Sequence, residues 1–295
     1  MPSATDLGAI LTAMVTPFDS DGAVREDATR RLARHLVEHG SDGLVVAGTT
    51  GESATLDDGE KLGLFETVVD EVGDSATVVA GTGSNDTAHS VHLTRQASQR
   101  GVDAVLVVTP YYNKPNRRGL VAHFSAVAAA TDLPVIVYNI PARCVINLEP
   151  DLLAELGQID NVVGVKQANP DMEQARRVID AGLAVYAGDD NLLEPFGEIG
   201  GAGGITVSSH LVGEQMKELY EAARSGDVER SRALDRELEE VYRTLFIAPA
   251  PATVKAALGL LGFETGGVRL PLVEVDESEL AQVRRMVESL RPVPA

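Results

Sequence analysis

Among 295 residues the chain has one cysteine, Cys144, and no tryptophan. A single thiol excludes an intrachain disulfide framework and a cysteine-rich zinc site, and it fits a reducing compartment. Aromatic residues are sparse, with only six tyrosines, so a tyrosine at the end of a strand stands out. Basic residues are few: Lys and Arg total 25 against 44 Asp and Glu, a formal net charge of −19. Nucleic-acid binding needs clustered Lys and Arg against phosphates, so this balance argues against it. The basic clusters present, Arg30-Arg31 with Arg34 and Arg117-Arg118, read as solvated helix faces. Residues 1–11 show no basic start followed by a long apolar run, so no signal peptide is expected. No stretch approaches the roughly 20 apolar residues of a membrane span. A cytoplasmic location is therefore expected.

What is present is a periodic alternation. Hydrophobic residues make up 44% and charged residues 23%, enough apolar material for a packed core. Eight short apolar runs rich in Val, Ile, Leu, Ala or Gly fall at 10–15, 43–47, 77–81, 104–108, 135–138, 162–166, 184–187 and 204–207. A run that is apolar on both faces is buried on both faces, as strands of a parallel sheet are. Segments with helical spacing lie between them, among them 87–99, 119–130, 150–156 and 172–179, and Asp57 or Asp58 is placed to cap a helix carrying Leu64, Phe65 and Val68. Eight such units ending near residue 224 predict an α/β fold of the (β/α)8 TIM-barrel type. A doubly wound open sheet is the alternative, and it lacks its Gly-rich dinucleotide fingerprint here. Residues 225–295 read as a C-terminal helical extension of the 1–224 barrel, with helices at 228–246, 252–261 and 277–290 and no Gly/Ser/Pro linker before them.

In such barrels the chemistry sits at the C-terminal ends of the strands. After the second run comes Gly48-Thr49-Thr50-Gly51-Glu52, two hydroxyls and several backbone N–H groups suited to a carboxylate or phosphate. An ordinary βα turn with a capping threonine explains it equally well. After the fourth run, Pro110-Tyr111-Tyr112-Asn113-Lys114-Pro115 would make a stiff loop presenting phenols, or simply pack its aromatics. Tyr138 ends the fifth run, followed by Asn139-Ile140-Pro141-Ala142-Arg143. The phenol is placed to move protons and the guanidinium to bind a carboxylate bidentately, against the plainer alternative of a packed Tyr and a surface Arg.

Lys166 is the most informative residue. Of five lysines, Lys61, Lys217 and Lys255 fall on helical patterns with solvent-exposed readings, and Lys114 falls in a loop. Lys166 follows Val162-Val163-Gly164-Val165 within a strand buried on both faces, so it points into the barrel or its mouth. Burying an ammonium depresses its pKa; a drop from about 10.4 to about 7.5 costs roughly 4 kcal/mol and makes a usable amine nucleophile. Schiff-base formation with a carbonyl substrate is the obvious use. The competing reading is a buried ion pair with Glu52 or Asp189, and strand-end placement favours the nucleophile. Asp189-Asp190 lacks further spaced ligands for a metal and reads as a helix cap. His89 and His92 lack a third metal ligand. Gly200, Gly201, Gly203 and Gly204 suggest close backbone approach by a ligand or by the barrel wall.

The ordered motifs Gly48-Thr49-Thr50-Gly51-Glu52-Ser53, Pro110-Tyr111-Tyr112-Asn113-Lys114-Pro115, Tyr138-Asn139-Ile140-Pro141-Ala142-Arg143 and Gly164-Val165-Lys166 resemble the dihydrodipicolinate synthase family of pyruvate-dependent class I aldolases and lyases, over residues 10–272. The resemblance implies a lyase that needs no cofactor and no metal. Lys166 would form an imine with pyruvate, and its enamine would attack L-aspartate-4-semialdehyde on the diaminopimelate route to lysine. It also implies Tyr138 as general acid/base, with Thr49 and Tyr112 relaying protons and Tyr112 reaching into a neighbouring subunit's site. The amides of Thr49 and Thr50 would hold the pyruvate carboxylate and Arg143 the semialdehyde carboxylate. Gly188 and the Ile205 carbonyl would line the pocket. The family usually forms a homotetramer of two tight dimers, and dimers exist. Another aldolase of the superfamily, of the N-acetylneuraminate lyase or 2-keto-3-deoxy-sugar-acid aldolase type, is the alternative; those often carry Ser where Thr49 stands. A barrel that binds without catalysing would lack the lysine or the tyrosine, and neither is missing.

The chain departs from the family pattern in two motifs. Cys144-Val145 stand where many members have Thr-Gly, and Gln167-Ala168 where many have an acidic residue and Gly. Lysine-inhibited members bind lysine near the counterparts of Ser53, Ala54, Asn85 and Tyr111. Where they carry two histidines this chain has Asp58 and Lys61, and where they carry a glutamate it has His89. Weak or absent lysine feedback is expected.

Overall fold

A computed structural model describes residues 7–290; residues 1–6, part of the segment read as lacking a signal peptide, and the last five of the helical extension lie outside the described residues. Eight parallel strands close into one barrel in sequence order. They are β1 (Ile10–Ala13), β2 (Gly43–Val46), β3 (Thr77–Gly81), β4 (Ala104–Val108), β5 (Val135–Asn139), β6 (Val162–Gln167), β7 (Ala184–Ala187) and β8 (Gly203–Thr206). Each lies within a residue or two of its expected run, because strands covered by helices outside and side chains inside must be apolar throughout.

The helices outside the barrel are α1 (Glu26–Glu38), α2 (Asp58–Val72), α3 (Thr87–Ser98), α4 (Arg117–Ala128), the short α5 (Pro141–Cys144), α6 (Pro150–Leu156), α7 (Met172–Asp180), α8 (Leu193–Glu198) and α9 (Ser209–Ser225). Their start signals are local. Asp57, rather than Asp58, caps α2: its carboxylate accepts from the Glu60 amide while Glu60 reaches back to the Asp57 amide. Asp86, Asn116 and Asp171 cap α3, α4 and α7 with a single side-chain bond each, accepting the amides of Ala88, Gly119 and Gln174. Arg117 bonds Asp151 and Glu155 on α6, and Arg34 bonds Glu71 on α2, as expected of solvated helix faces. The 225–295 segment supplies α10 (Val228–Leu245), α11 (Ala252–Leu260) and α12 (Glu277–Leu290). No helix among the described residues is long and apolar enough to cross a membrane.

Two apolar layers result. Leu11, Val45, Val79, Leu106, Ile136 and Ile205 fill the barrel, and a larger shell between strands and helices holds residues such as Leu44, Phe65, Phe124 and Leu153. Gly203, at φ +145°, lies against β1: a Cβ there would fall 1.9 Å from the Ala9 carbonyl oxygen. The glycines before Ile205 therefore serve the barrel wall at this position.

Candidate active site

The site begins with a register. Between β5 and β6 the pairing shifts at Val135/Ile136, after which Tyr138 stands opposite Lys166, and Lys166 opposite Tyr186 on β7. Alternation then sends the Lys166 side chain toward the barrel axis, among Tyr138, Tyr186 and Ile205 of the inner layer. Lys166 is 5% exposed and its Nζ lies 4.5 Å from the centroid of the Tyr138 ring.

Burial pulls the Lys166 amine down to about 8, opposed by the Asp190 and Asp189 carboxylates and assisted by the Arg143 guanidinium. Burial likewise pushes the Tyr138 phenol above its ordinary value; Asp189 adds to this, while Arg143 and a side-chain hydrogen bond with Thr49 pull it back. Thus residues from three strand ends, those of β2, β5 and β6, meet here: Thr49 and Arg143 act on Tyr138, and Arg143 acts on Lys166. Asp189 also rises through burial, held down by Lys166. Asp190 accepts the amides of Val207 (2.9 Å) and Ser208 (2.6 Å), tying the end of β7 to the end of β8, whereas neither aspartate's side chain caps the helical turn that follows, so the expected helix cap does not form there.

The ion-pair alternative for Lys166 fails in part. Glu52 bonds Lys255 instead, at 2.8 Å, with both side chains almost fully buried. This corrects two expectations: Lys255 is 4% exposed and Lys61 8%, so neither helical lysine is a solvent residue. Lys217 remains partly exposed, bonded to Asp42. Sequence reasoning missed the Glu52–Lys255 pair because its members are 203 residues apart. The only signal was the acid ending Gly48-Thr49-Thr50-Gly51-Glu52.

Arg143 is exposed on α5 and, with Thr49, Ile140 and Cys144, lines a cavity of about 630 Å³ at the barrel mouth. The same cavity runs outward past Ser53, Asn85, His89, Lys61 and Tyr111. Thr50 and Ile205 are buried. Gly188 packs so closely on the next strand end that a Cβ would meet the Ala168 nitrogen at 2.7 Å. Tyr112 is not brought to Lys166 within the chain: it is 89% exposed, at φ +70°. His89 bonds Asp58 at 2.8 Å.

The departures from the expected motifs also have places. Gln167 points to the outer face of β6, where it accepts from Asn139 within an amide network that includes Asn147, Asn169 and Gln174. It is therefore on the side of the strand away from Lys166. Cys144 is buried with its Sγ 3.2 Å from the Thr109 carbonyl oxygen, and burial raises the thiol to about 11, so it is a packing residue rather than a nucleophile. Val145 takes φ +67°, a left-handed backbone.

The sequence model of the dihydrodipicolinate synthetase family matches residues 6–290. The 4-hydroxy-tetrahydrodipicolinate synthase of Desulforudis audaxviator is 50% identical over 282 residues, covering 95% of this chain and 96% of that protein. The crystal structure of a dihydrodipicolinate synthase from Bacillus anthracis superposes with TM-score 0.94 at 41% identity, covering 98% and 99% of the two chains. That of the Cyanidioschyzon merolae enzyme with lysine bound superposes with TM-score 0.94 at 38% identity, covering 97% and 99%. A barrel with a buried lysine beside a tyrosine, matched across nearly its whole length by such relatives, belongs to the dihydrodipicolinate synthetase family.

Proposed function

We propose that the chain catalyses the 4-hydroxy-tetrahydrodipicolinate synthase reaction, with Lys166 as the amine that captures pyruvate. The observation that carries this reading is an amine inside the barrel, its pKa drawn down to about 8, beside a buried phenol. The neutral Nζ adds to the keto carbon of pyruvate, water leaves, and an imine forms. Loss of a methyl proton gives the enamine, which attacks the aldehyde carbon of L-aspartate-4-semialdehyde. The amine of that substrate then attacks the former keto carbon, releasing Lys166 as the ring closes.

Each side chain has a part in this scheme. Tyr138 passes protons to and from the carbinolamine. A phenol with a raised pKa does this only within a relay, which the Thr49 hydroxyl begins. Tyr112, too exposed to serve its own chain, completes the relay from a neighbouring subunit, so the working form is a homo-oligomer. The amides of Thr49 and Thr50 hold the pyruvate carboxylate. Arg143, on the cavity wall, holds that of the second substrate. Gly188 and the Ile205 carbonyl complete the pocket floor. No cofactor or metal takes part, and the enzyme works in the cytoplasm. The division into a barrel, 1–224, and a helical extension, 225–295, is supported by α9 ending the eighth unit at Ser225.

Other pyruvate aldolases of the superfamily share the lysine and the tyrosine; Thr49-Thr50 together with Arg143 favour the synthase. Borohydride reduction in the presence of pyruvate, followed by peptide mass spectrometry, tests the imine and is expected to label Lys166. A coupled assay with aspartate semialdehyde then separates the synthase from its cousins. Labelling elsewhere, or turnover surviving Lys166→Ala, would overturn the reading.

A further inference from the structure

Glu52 has an unusual setting. It closes the loop that carries Thr49 and Thr50, and it does so at φ +58°, a left-handed backbone. The same loop enters with Ala47 at φ +52°. Two non-glycine residues in this region cost of order 1–3 kcal/mol each, so something must hold them there. Part of the holding is local: the Glu52 amide donates to the Thr49 carbonyl at 3.1 Å, and the Ser53 amide to Gly48 at 3.2 Å. The rest comes from the far end of the chain.

Lys255 on α11 donates to Glu52 Oε1 at 2.8 Å and to the Gly267 carbonyl at 2.6 Å, and its ammonium sits 4.2 Å over the Phe18 ring. The Arg269 amide donates to Glu52 Oε2 at 2.9 Å. The Arg269 guanidinium donates to the Thr55 carbonyl and bonds Glu60, both just past Glu52, and covers the other contact of Phe18 at 4.4 Å. Both carboxylate oxygens and the ammonium are thus satisfied in a region that excludes water. A buried ion pair is weak evidence for stability, since apolar residues of like volume often do as well. Its directional hydrogen bonds do fix the position of whatever they hold.

We propose that Glu52 is a positioning residue, clamped by Lys255 and Arg269 of the helical extension so that the Thr49-Thr50 loop is set to receive the pyruvate carboxylate. The proposal rests on the synthase reading above. Through this clamp the extension acts on one substrate and not the other: the semialdehyde carboxylate goes to Arg143, on a different loop. The Thr49 and Thr50 amides, held by a loop that the Glu52 and Ser53 amides close, can lose their alignment through a shift of about 1 Å, enough to cost a large factor in rate.

The test compares wild type with Glu52→Gln and Lys255→Met in the full-length protein, with rates normalised to the fraction of Lys166 that pyruvate and borohydride label. Both variants are expected to raise the pyruvate KM at least tenfold and to lower kcat, while the semialdehyde KM changes less than twofold. The double variant should do no more than either single change, because both remove one clamp. A merely structural role would lower the active fraction and leave both KM values in place. Where a variant proves insoluble, Glu52→Asp, which shortens the reach of the carboxylate by one methylene, is read instead and should raise the pyruvate KM about fivefold. Folded variants with a pyruvate KM within twofold of wild type would overturn the proposal while leaving Lys166 labelling intact. Failure of the wild type to label at Lys166 would instead remove the reading on which it rests.

Discussion

Tyr138 and Lys166 are register partners on adjacent strands, the ammonium 4.5 Å from the ring centroid, and both are about 5% exposed. Removing the amine by Lys166→Ala should lower kcat by at least about 10³-fold, since no other amine lies in the inner layer among the described residues and the Cys144 thiol there is raised by burial. Tyr138→Phe keeps the ring over the lysine and removes only the phenol hydroxyl, so on the proposed proton relay kcat should fall by roughly 10²–10⁴. Borohydride labelling at equilibrium should survive the second change and vanish with the first. Steady-state rates and labelled mass, measured together, separate the two roles.

A buried ammonium burdens the fold. With the Lys166 amine at about 8 in the native state and near 10.5 when unfolded, both states hold the proton below pH 8 and the full cost is present. Between pH 8 and 10.5 the unfolded chain binds more protons, so stability rises with pH in that window. The shift corresponds to on the order of 3 kcal/mol. Lys166→Met, unbranched and apolar, should therefore raise Tm by several degrees at pH 7, and its advantage should shrink toward nothing above pH 10. A Tm gain of equal size at both pH values would show that packing, not charge, explains it.

These outcomes trace how far the sequence could be read. The eight strands were legible because burial on both faces leaves an unbroken apolar run, and Lys166 because it interrupts one. The helical lysines misled because a long side chain on an amphipathic pattern reads as solvent-facing, whereas Lys255 lies on a face of α11 that turns inward over Phe18. Its partner Glu52 was visible only as part of a turn, since pairing across 203 residues leaves no local trace. The outward direction of Gln167 follows from strand alternation once Lys166 is known to point inward.

Val145 departs from the family pattern in a way that carries a cost. It holds φ +67° at the end of α5, a backbone that a β-branched side chain adopts only with strain, and it is 67% exposed, so little packing offsets this. Val145→Gly removes about 1–2 kcal/mol of strain and adds about 0.5–1 kcal/mol of unfolded-state entropy. A net gain near 1 kcal/mol should raise Tm by about 2 °C in a chain of this size. Since Val145 follows Arg143 closely, the same variant should leave the pyruvate KM unchanged and shift only the semialdehyde KM. Thermal unfolding and the two KM values check both parts.

The outer half of the mouth cavity bears on feedback by lysine. Lys61, 8% exposed, lines it, and burial lowers the pKa of its amine while Asp58, Asp57 and Glu60 act to keep it charged. His89 already engages Asp58 at 2.8 Å. An incoming ammonium would meet a resident cation and find the Asp58 carboxylate already engaged by His89, and desolvating a second cation beside the first adds further cost. Free lysine should therefore inhibit with a constant above about 10 mM, less than about 3 kcal/mol of binding. Asp58→His and Lys61→His with His89→Glu would restore all three groups that the resemblance gives lysine-sensitive members, and should bring inhibition into the low millimolar range without altering kcat in its absence. Steady-state assays across a lysine series decide the matter: strong inhibition of the wild type at 1 mM would overturn the expectation of weak feedback.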